Sequence, residues 1–155
     1  MKVGIFIDGE TVFKGLKNKR LDFKSFKAWL AQDDNVAILG YFNCLHITDK
    51  KKKFIKTLSD LGYTLFLREP LYNYFEDKFM KHGLEIELAI ESISRKDDFD
   101  KYILVSGKHN FLPVCEKLAM EGKDVEVVGY KNSTNNVFEK YNIRYIDDYF
   151  NMEKK

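Results

Sequence analysis

Three short segments of this 155-residue chain hold the residue types best suited to chemistry. Phe6-Ile7-Asp8-Gly9-Glu10-Thr11 puts an acid at the end of a short apolar run. Lys81-His82-Gly83-Leu84-Glu85 puts a second acid at the start of a stretch with helical period. Ser106-Gly107-Lys108-His109-Asn110-Phe111 follows another apolar run and opens another helical stretch. A short apolar run ended by Asp-Gly reads as a buried strand followed by a turn. If all three segments are strand–helix junctions, they meet outside the carboxyl ends of the strands, where open α/β sheets bind ligands.

Other chemistries find little support. Asp8-Gly9-Glu10-Thr11 is neither GxGxxG nor a P-loop, so no nucleotide cofactor is expected. No Ser-His-Asp arrangement is suggested, and His46, His82 and His109 share no metal-ligand spacing. A phosphatase with Asp8 as nucleophile would want a second Asp two residues on, where Glu10 stands. Cys44 and Cys115 lie in apolar surroundings without a CxxC, which predicts two buried free thiols rather than a disulfide or zinc site.

The elements that must position these residues follow from hydrophobic period. Strands are expected at Lys2 to Ile7, Asn35 to Cys44, Tyr63 to Leu67, Tyr102 to Val105, Val125 to Val128 and Ile143 to Ile146. Helices are expected at Asp22 to Ala31, Thr48 to Leu61, Leu84 to Ser94, from Phe111 to Gly122, and briefly at Val137 to Tyr141. In the Leu84 to Ser94 helix, Ile86, Ala89, Ile90 and Ile93 form the expected inward stripe. Asn110 is the expected N-cap of the helix that follows it. Arg68 to Lys81 reads as a loop with possible short strands. Strands alternating with helices predict a three-layer α/β/α fold on a mainly parallel five- or six-stranded sheet.

Composition agrees. Hydrophobic residues make up 45% and charged residues 32%, enough for one core and a solvated surface. The net charge of +2 is too small for global steering, so nucleic-acid binding must rest on local patches. No apolar stretch is long enough for a signal peptide or membrane span, which with the free thiols predicts a cytoplasmic protein and no membrane partner. Residues 1–150 are expected to form one domain, with 151–155 as a polar tail. The run Lys50-Lys51-Lys52-Lys53 opens a helix, where the helix dipole disfavours cations. It reads as a solvated face or as a contact for phosphates.

The three junctions together resemble the motifs of NYN domains, including LabA-like proteins, in the PIN-like nuclease superfamily. The first is an apolar strand then Asp-Gly, seen here as Phe6 to Thr11. The second is a Lys-Gly stretch leading into an apolar helix, seen as Lys81 to Glu91. The third is Ser-Gly followed by Phe, seen as Ser106-Gly107 and Phe111, with Gly122-Lys123 after it. The resemblance covers about Lys2 to Gly129 in order and spacing. It implies a PIN-like fold and metal-dependent RNA cleavage by clustered carboxylates, since magnesium and manganese take hard oxygen ligands.

The resemblance carries roles to individual residues. Asp8, Glu85 and Asn110 stand at catalytic positions, and Asp8 and Glu85 at metal-ligand positions. Gly9, Thr11, Lys81, Glu91, Ser106, Gly107 and Lys108 line the motifs. The departures concern charge. Thr11 stands where the family usually has Asn, Glu85 where it has Asp, and Lys108 and Asn110 where it has the two acids of the third motif. Four family acids would total −4, whereas Asp8, Glu85, Lys108 and Asn110 total −1. A charged lysine has three donors and no acceptor, so it cannot ligate magnesium. Lys108 either pairs with Asp8 or Glu85 in the space of a metal, or swings into solvent and leaves the two acids to bind one. Glu91 reads as an ion pair with Arg95 or as the family's later acid.

The expectation for function is an RNA-associated NYN protein in which cleavage is weak or absent. The alternatives are an active ribonuclease that uses magnesium or manganese on Asp8 and Glu85, and a non-catalytic module that binds a protein partner or forms a homodimer. Candidate phosphate contacts are Lys14, Lys17, Lys50, Lys51, Lys52, Lys53, Lys81 and Lys108. Tyr72, Tyr74 and Phe75 are candidate base-stacking residues if their loop is exposed.

Overall fold

A computed structural model of the chain describes residues 1–153. Strand β1 (Lys2–Asp8) is buried from its second residue onward and forms the centre of a parallel six-stranded sheet. On one side lie β2 (Asn35–Cys44) and then β3 (Thr64–Arg68). On the other lie β6 (Lys101–Val105), β7 (Asp124–Gly129) and β8 (Asn142–Tyr145). The sheet order is β3-β2-β1-β6-β7-β8, so the chain reverses its direction of winding between β1 and β6. Asp8 ends β1, Ser106 directly follows β6, and the two face each other across this switch point. A separate antiparallel hairpin, β4 (Leu71–Asn73) and β5 (Lys78–Met80), occupies the segment expected as a loop with short strands.

Side chains alternate along each strand, so the sheet has two apolar faces. Helices α1 (Gly9–Lys14), α2 (Phe23–Ala31), α3 (Asp49–Asp60) and α6 (Ile146–Glu153) cover the face that carries Ile5, Ile7, Tyr41, Ile103 and Val128. Helices α4 (Glu85–Ser94) and α5 (Leu112–Met120) cover the face that carries Phe6, Phe42, Tyr102, Leu104 and Val127. The Asp22 carboxylate caps α2 by accepting from Lys24 N and Ser25 N, and Thr48 caps α3 at Lys51 N. At the end of the sheet away from the switch point, Arg144 ties three elements together. It pairs with buried Glu126 at 2.7 Å, donates to the carbonyls of Trp29 and Leu30 at the end of α2, and stacks on the Trp29 ring. No helix among the described residues is long and apolar enough to cross a membrane.

Several local expectations need correction. The Asp-Gly after β1 is not a turn, because Asp8 is extended (φ −79°, ψ 98°) and α1 begins at Gly9. That six-residue helix is too short for a period to mark it. Helix α4 exists where expected, but its inward stripe is Leu84, Leu88 and Ser92, with Ala89 and Ile93 beside it. Ile86 and Ile90 face outward at 72% and 57% exposure. Ser92 is tolerated inside because its hydroxyl donates to Leu88 O and meets the Tyr102 hydroxyl at 2.9 Å. Asn110 caps no helix. It lies exposed in a 3₁₀ turn, His109–Phe111, and Phe111 holds the N-cap position of α5 without a side-chain bond. The short helix expected at 137–141 is a 3₁₀ turn, Asn136–Phe138. The last strand stops at Tyr145, and α6 replaces the first part of the expected tail because Ile146, Tyr149 and Phe150 pack into the core. The remainder of that tail, 154–155, lies outside the described residues.

Candidate functional site

Asp8 leaves β1 with its carboxylate at the switch point, buried. One turn into α1, the Thr11 hydroxyl comes back to it and donates to Oδ2 at 2.7 Å. From the end of β6, the Ser106 hydroxyl donates to the same oxygen at 3.1 Å. The sequence arranges this economically: a helix that starts directly after the strand brings residue i+3 beneath residue i. Ser106 also accepts from Lys108 N, which sets the course of the loop.

Lys108 is the centre of the site. Its Nζ lies 2.9 Å from Glu85 Oε1, 3.2 Å from Asp8 Oδ2 and 3.3 Å from Glu10 Oε2. Of the two placements open from the sequence, the structure has the inward one. The three acids come from three elements: the end of β1, the first turn of α1 and the first turn of α4. Glu10 continues to Lys14 at 2.7 Å, one helical turn along α1. The Lys14 hydrogen bond holds the Glu10 carboxyl below its usual range; burial works against this, and Lys108 adds to it. Burial of the Lys108 amine opposes its charge, but the Glu85 bond and the charges of Asp8, Glu10 and Glu85 outweigh burial and raise its pKa above the ordinary lysine value. At neutral pH the group is an ammonium whose three donors face three carboxylates.

Two glycines make this convergence possible. A Cβ on Gly83 would run into the Glu85 carboxylate that reaches Lys108. A Cβ on Gly107 would stand 2.6 Å from Ser133 O and from Thr134 Cα, so the loop after β6 could not lie against the loop after β7.

Two depressions flank the cluster. One, of about 380 Å³, is bounded by Glu10, Phe13, Lys14, Lys51, Phe54, Lys81 and His82. The other, of about 260 Å³, is bounded by Thr11, Lys14, Lys17, Lys108, Asn132 and Ser133. Lys14 stands between them. In the first, His82 Nδ1 approaches the buried Cys44 thiol at 3.7 Å. Burial pushes the other thiol, Cys115, up to about 12.

The residues singled out from the sequence therefore divide. Asp8, Thr11, Glu85, Ser106 and Lys108 meet directly, Gly107 lets the loop after β6 lie close, and Gly9 opens α1 against the Tyr41 ring and Phe42 O. Lys14, Lys17, Lys51 and Lys81 line the flanking depressions. Lys50, Lys52 and Lys53 are exposed on the first turns of α3, where Lys52 faces Asp49 at 3.7 Å. Asn110 is exposed and forms no side-chain hydrogen bond among the described residues. Glu91 points away from the site and pairs with Arg95 at 2.6 Å. Glu10 joins the site although sequence reasoning does not select it, since the short helix that turns it toward the switch point carries no period that marks it. The signal that could have found it is its place, two residues after the acid that ends the central strand.

Divalent magnesium needs a near-octahedral oxygen cage at about 2.0–2.1 Å. Here the point on which the three carboxylates converge is filled by an amine. Among the described residues, no three His, Cys, Asp or Glu side chains are placed to hold one ion. As arranged, these residues do not fit a resident divalent metal.

Comparison with known proteins agrees with the fold and the motifs. The model of the family described as NYN domain matches residues 2–150. Low amplitude and bright protein LabA from Synechococcus elongatus is 23% identical over 156 aligned positions, covering 94% of this chain and 83% of that protein. A crystal structure of a protein of unknown function from Vibrio parahaemolyticus superposes with a TM-score of 0.79 at 20% identity, covering 95% of this chain and 93% of that one. The last likeness is one of fold.

Proposed function

The chain belongs to the NYN domain family, and from that premise we propose that it binds RNA without appreciable cleavage, an ammonium standing where the nucleases of this lineage hold a divalent metal. The observation that carries the reading is Lys108 Nζ within 3.3 Å of Asp8, Glu10 and Glu85. An ammonium fixed among three acids supplies charge balance but neither activates a water nor ligates a phosphate oxygen as a metal does. The cytoplasmic location and the single-domain reading of residues 1–150 belong to the same proposal.

RNA fits the ground around the cluster. Lys14, Lys17, Lys51 and Lys81 rim two adjoining depressions and offer cations to phosphates there. Phe13, 39% exposed and packed edge-on against Phe54, offers a face for a base in the larger one. The hairpin aromatics Tyr74 and Phe75 stand free of the core, and β5 leads directly into Lys81. Stacking on such rings contributes about 1–3 kcal/mol per base.

Fluorescence anisotropy with a labelled single-stranded RNA tests this. Binding should weaken steeply with salt, and Lys14→Glu with Lys51→Glu and Lys81→Glu should reduce the salt slope by about 0.7 for each lysine–phosphate pairing removed. Affinity that ignores all three substitutions would overturn the RNA reading and favour a module for protein partners. A second reading has one observation in its favour, since three carboxylates rather than two converge. It makes the protein a manganese- or magnesium-dependent ribonuclease on Asp8 and Glu85, and it requires metal-dependent cleavage by the unmodified chain.

A further inference from the structure

Strand β2 carries near its end a residue that its face does not explain. Leu39, Tyr41 and Asn43 alternate onto the face that α1, α2, α3 and α6 cover, and Leu39 and Tyr41 are buried in the core there. Asn43 continues the series as a half-buried amide. Asn is depleted in strands, and taking an amide out of water costs free energy unless it finds partners. Its one side-chain bond runs from Nδ2 to the Tyr41 hydroxyl at 3.2 Å. Tyr41 is itself immobile, fully buried and lying against Gly9, so the bond fixes the plane of the amide. Oδ1 accepts from no group among the described residues, yet it is not sealed from solvent.

The space that this amide borders is the depression of about 380 Å³. Phe13 from α1 and Phe54 from α3 meet at its wall edge to face, with centroids 5.9 Å apart and planes at 70°, so the two rings form a corner. Lys14, Lys51 and Lys81 stand around it. Glu10, the acid on its border, is already held by Lys14 and Lys108. An aromatic corner, a fixed amide and a ring of cations match the three parts of a nucleotide: the face of its base, the edge of its base and its phosphate. The neighbouring depression offers Lys14 and Lys17 but no aromatic side chain, so it suits the backbone of a strand and not a base.

We propose that the larger depression holds one unpaired adenine of a single-stranded RNA and that Asn43 is the residue that reads it. The bond to Tyr41 takes one position of the amide and leaves an acceptor and a donor side by side. Oδ1 accepts from the exocyclic amino group of adenine, and Nδ2 gives its second hydrogen to the adjacent ring nitrogen, the pairing an asparagine makes with adenine. Uracil and guanine carry a carbonyl where adenine carries that amino group, which sets acceptor against acceptor. Cytosine keeps the amino group but brings a smaller ring to the corner between Phe13 and Phe54. A base within a duplex has both faces stacked and its pairing edge taken, so it does not enter. The proposal rests on the reading of this chain as RNA-binding and adds to it which base is bound and by what.

The test is anisotropy with the shortest labelled oligouridine that the full chain binds, and with copies carrying one adenosine or one purine riboside. Purine riboside lacks only the exocyclic amino group of adenosine. The adenosine copy should bind the wild-type chain about fivefold or more tighter than either of the others, the lower end for one amide–adenine pair. In Asn43→Leu the adenosine and purine riboside copies should bind alike. A general loss of stability would not produce that result, because both oligomers meet the same protein. Adenosine monophosphate, the same base and phosphate in free form, should displace the oligomer only far above the oligomer's own dissociation constant, because it engages fewer lysines. Displacement near that constant would assign the depression to a free nucleotide and overturn the proposal. A purine riboside copy that binds the wild-type chain as tightly as the adenosine copy would also overturn it, as would a difference that survives Asn43→Leu. In those two cases, binding that still depends on salt and on the lysines leaves the RNA reading standing. Oligomers that do not bind at all would overturn both.

Discussion

Replacing Lys108 with Met keeps a long side chain in the site and removes its charge. Each of its three ion pairs, near 3 Å, represents a gross attraction of about 5 kcal/mol at an effective dielectric near 20. Desolvation and repulsion among the acids offset most of that. Breaking one partner out of a fully buried pair costs about 3–5 kcal/mol, and an exposed pair is worth at most about 1 kcal/mol. Lys108 is 27% exposed, between these limits, so Lys108→Met should lower unfolding free energy by about 2–3 kcal/mol at pH 7. The sign of the pH dependence is distinctive. Without the ammonium, three crowded carboxylates raise one another's pKa in the folded state. A raised carboxyl is stabilising below its unfolded value and loses that contribution as pH rises through the folded value. The deficit of Lys108→Met should therefore shrink on going from pH 7 to pH 5, by about 1.4 kcal/mol for each tenfold rise in a carboxylate's proton affinity. Manganese should also stabilise the variant, by about 2.7 kcal/mol at a hundred times its dissociation constant, and leave the wild-type chain unmoved. Urea unfolding at both pH values, with and without manganese, reads all three effects. A variant with the deficit constant in pH, or a wild-type chain stabilised by manganese as much as the variant, would refute the reasoning.

Other perturbations give separate checks. Thr11→Val removes one of the two hydroxyls on Asp8 Oδ2 and should cost about 1–2 kcal/mol in urea unfolding. Gly107→Ala forces a Cβ against the backbone of Ser133 and Thr134 and should lower stability by about 1–3 kcal/mol, with loss of RNA affinity as the loop shifts. In the wild-type chain, Glu10 is depressed and Lys108 is raised. The contribution of Glu10 is present above pH 4.5 and is lost on acidification below that, and the contribution of Lys108 is lost only at strongly alkaline pH, so the melting temperature should be flat between about pH 6 and 9. Arg144→Ala breaks a buried pair and two carbonyl bonds at the end of α2, and should cost about 3–5 kcal/mol without changing RNA affinity, because it lies at the far end of the sheet.

The alternation of elements is legible from the sequence because strand and helix periods are local. So is the meeting of the three junctions, because a parallel sheet with a switch point leaves them few other places. What escapes depends on tertiary choice. Helix α4 and its N-cap carry apolar residues at Leu84, Ile86, Leu88, Ala89, Ile90 and Ile93, nearly all round, and period alone does not select a face. The real face includes Ser92, a polar residue whose burial depends on Tyr102 from another strand. Helix α1 escapes because six residues are too few for a period, and with it goes the position of Glu10 above the switch point. Asn110 looks like a cap by type and spacing, but a 3₁₀ turn moves the start of α5 past it. In each case the residue's identity is informative and its direction is not.

The central claim is that an ammonium rather than a metal stands among Asp8, Glu10 and Glu85, so that RNA is held and not cut. It is tested most directly by incubating the purified wild-type chain with labelled single-stranded RNA in EDTA and in manganese, reading anisotropy and strand length on the same samples. The account predicts equal binding in both and intact RNA in both. Manganese-dependent cleavage that Asp8→Ala abolishes would contradict it.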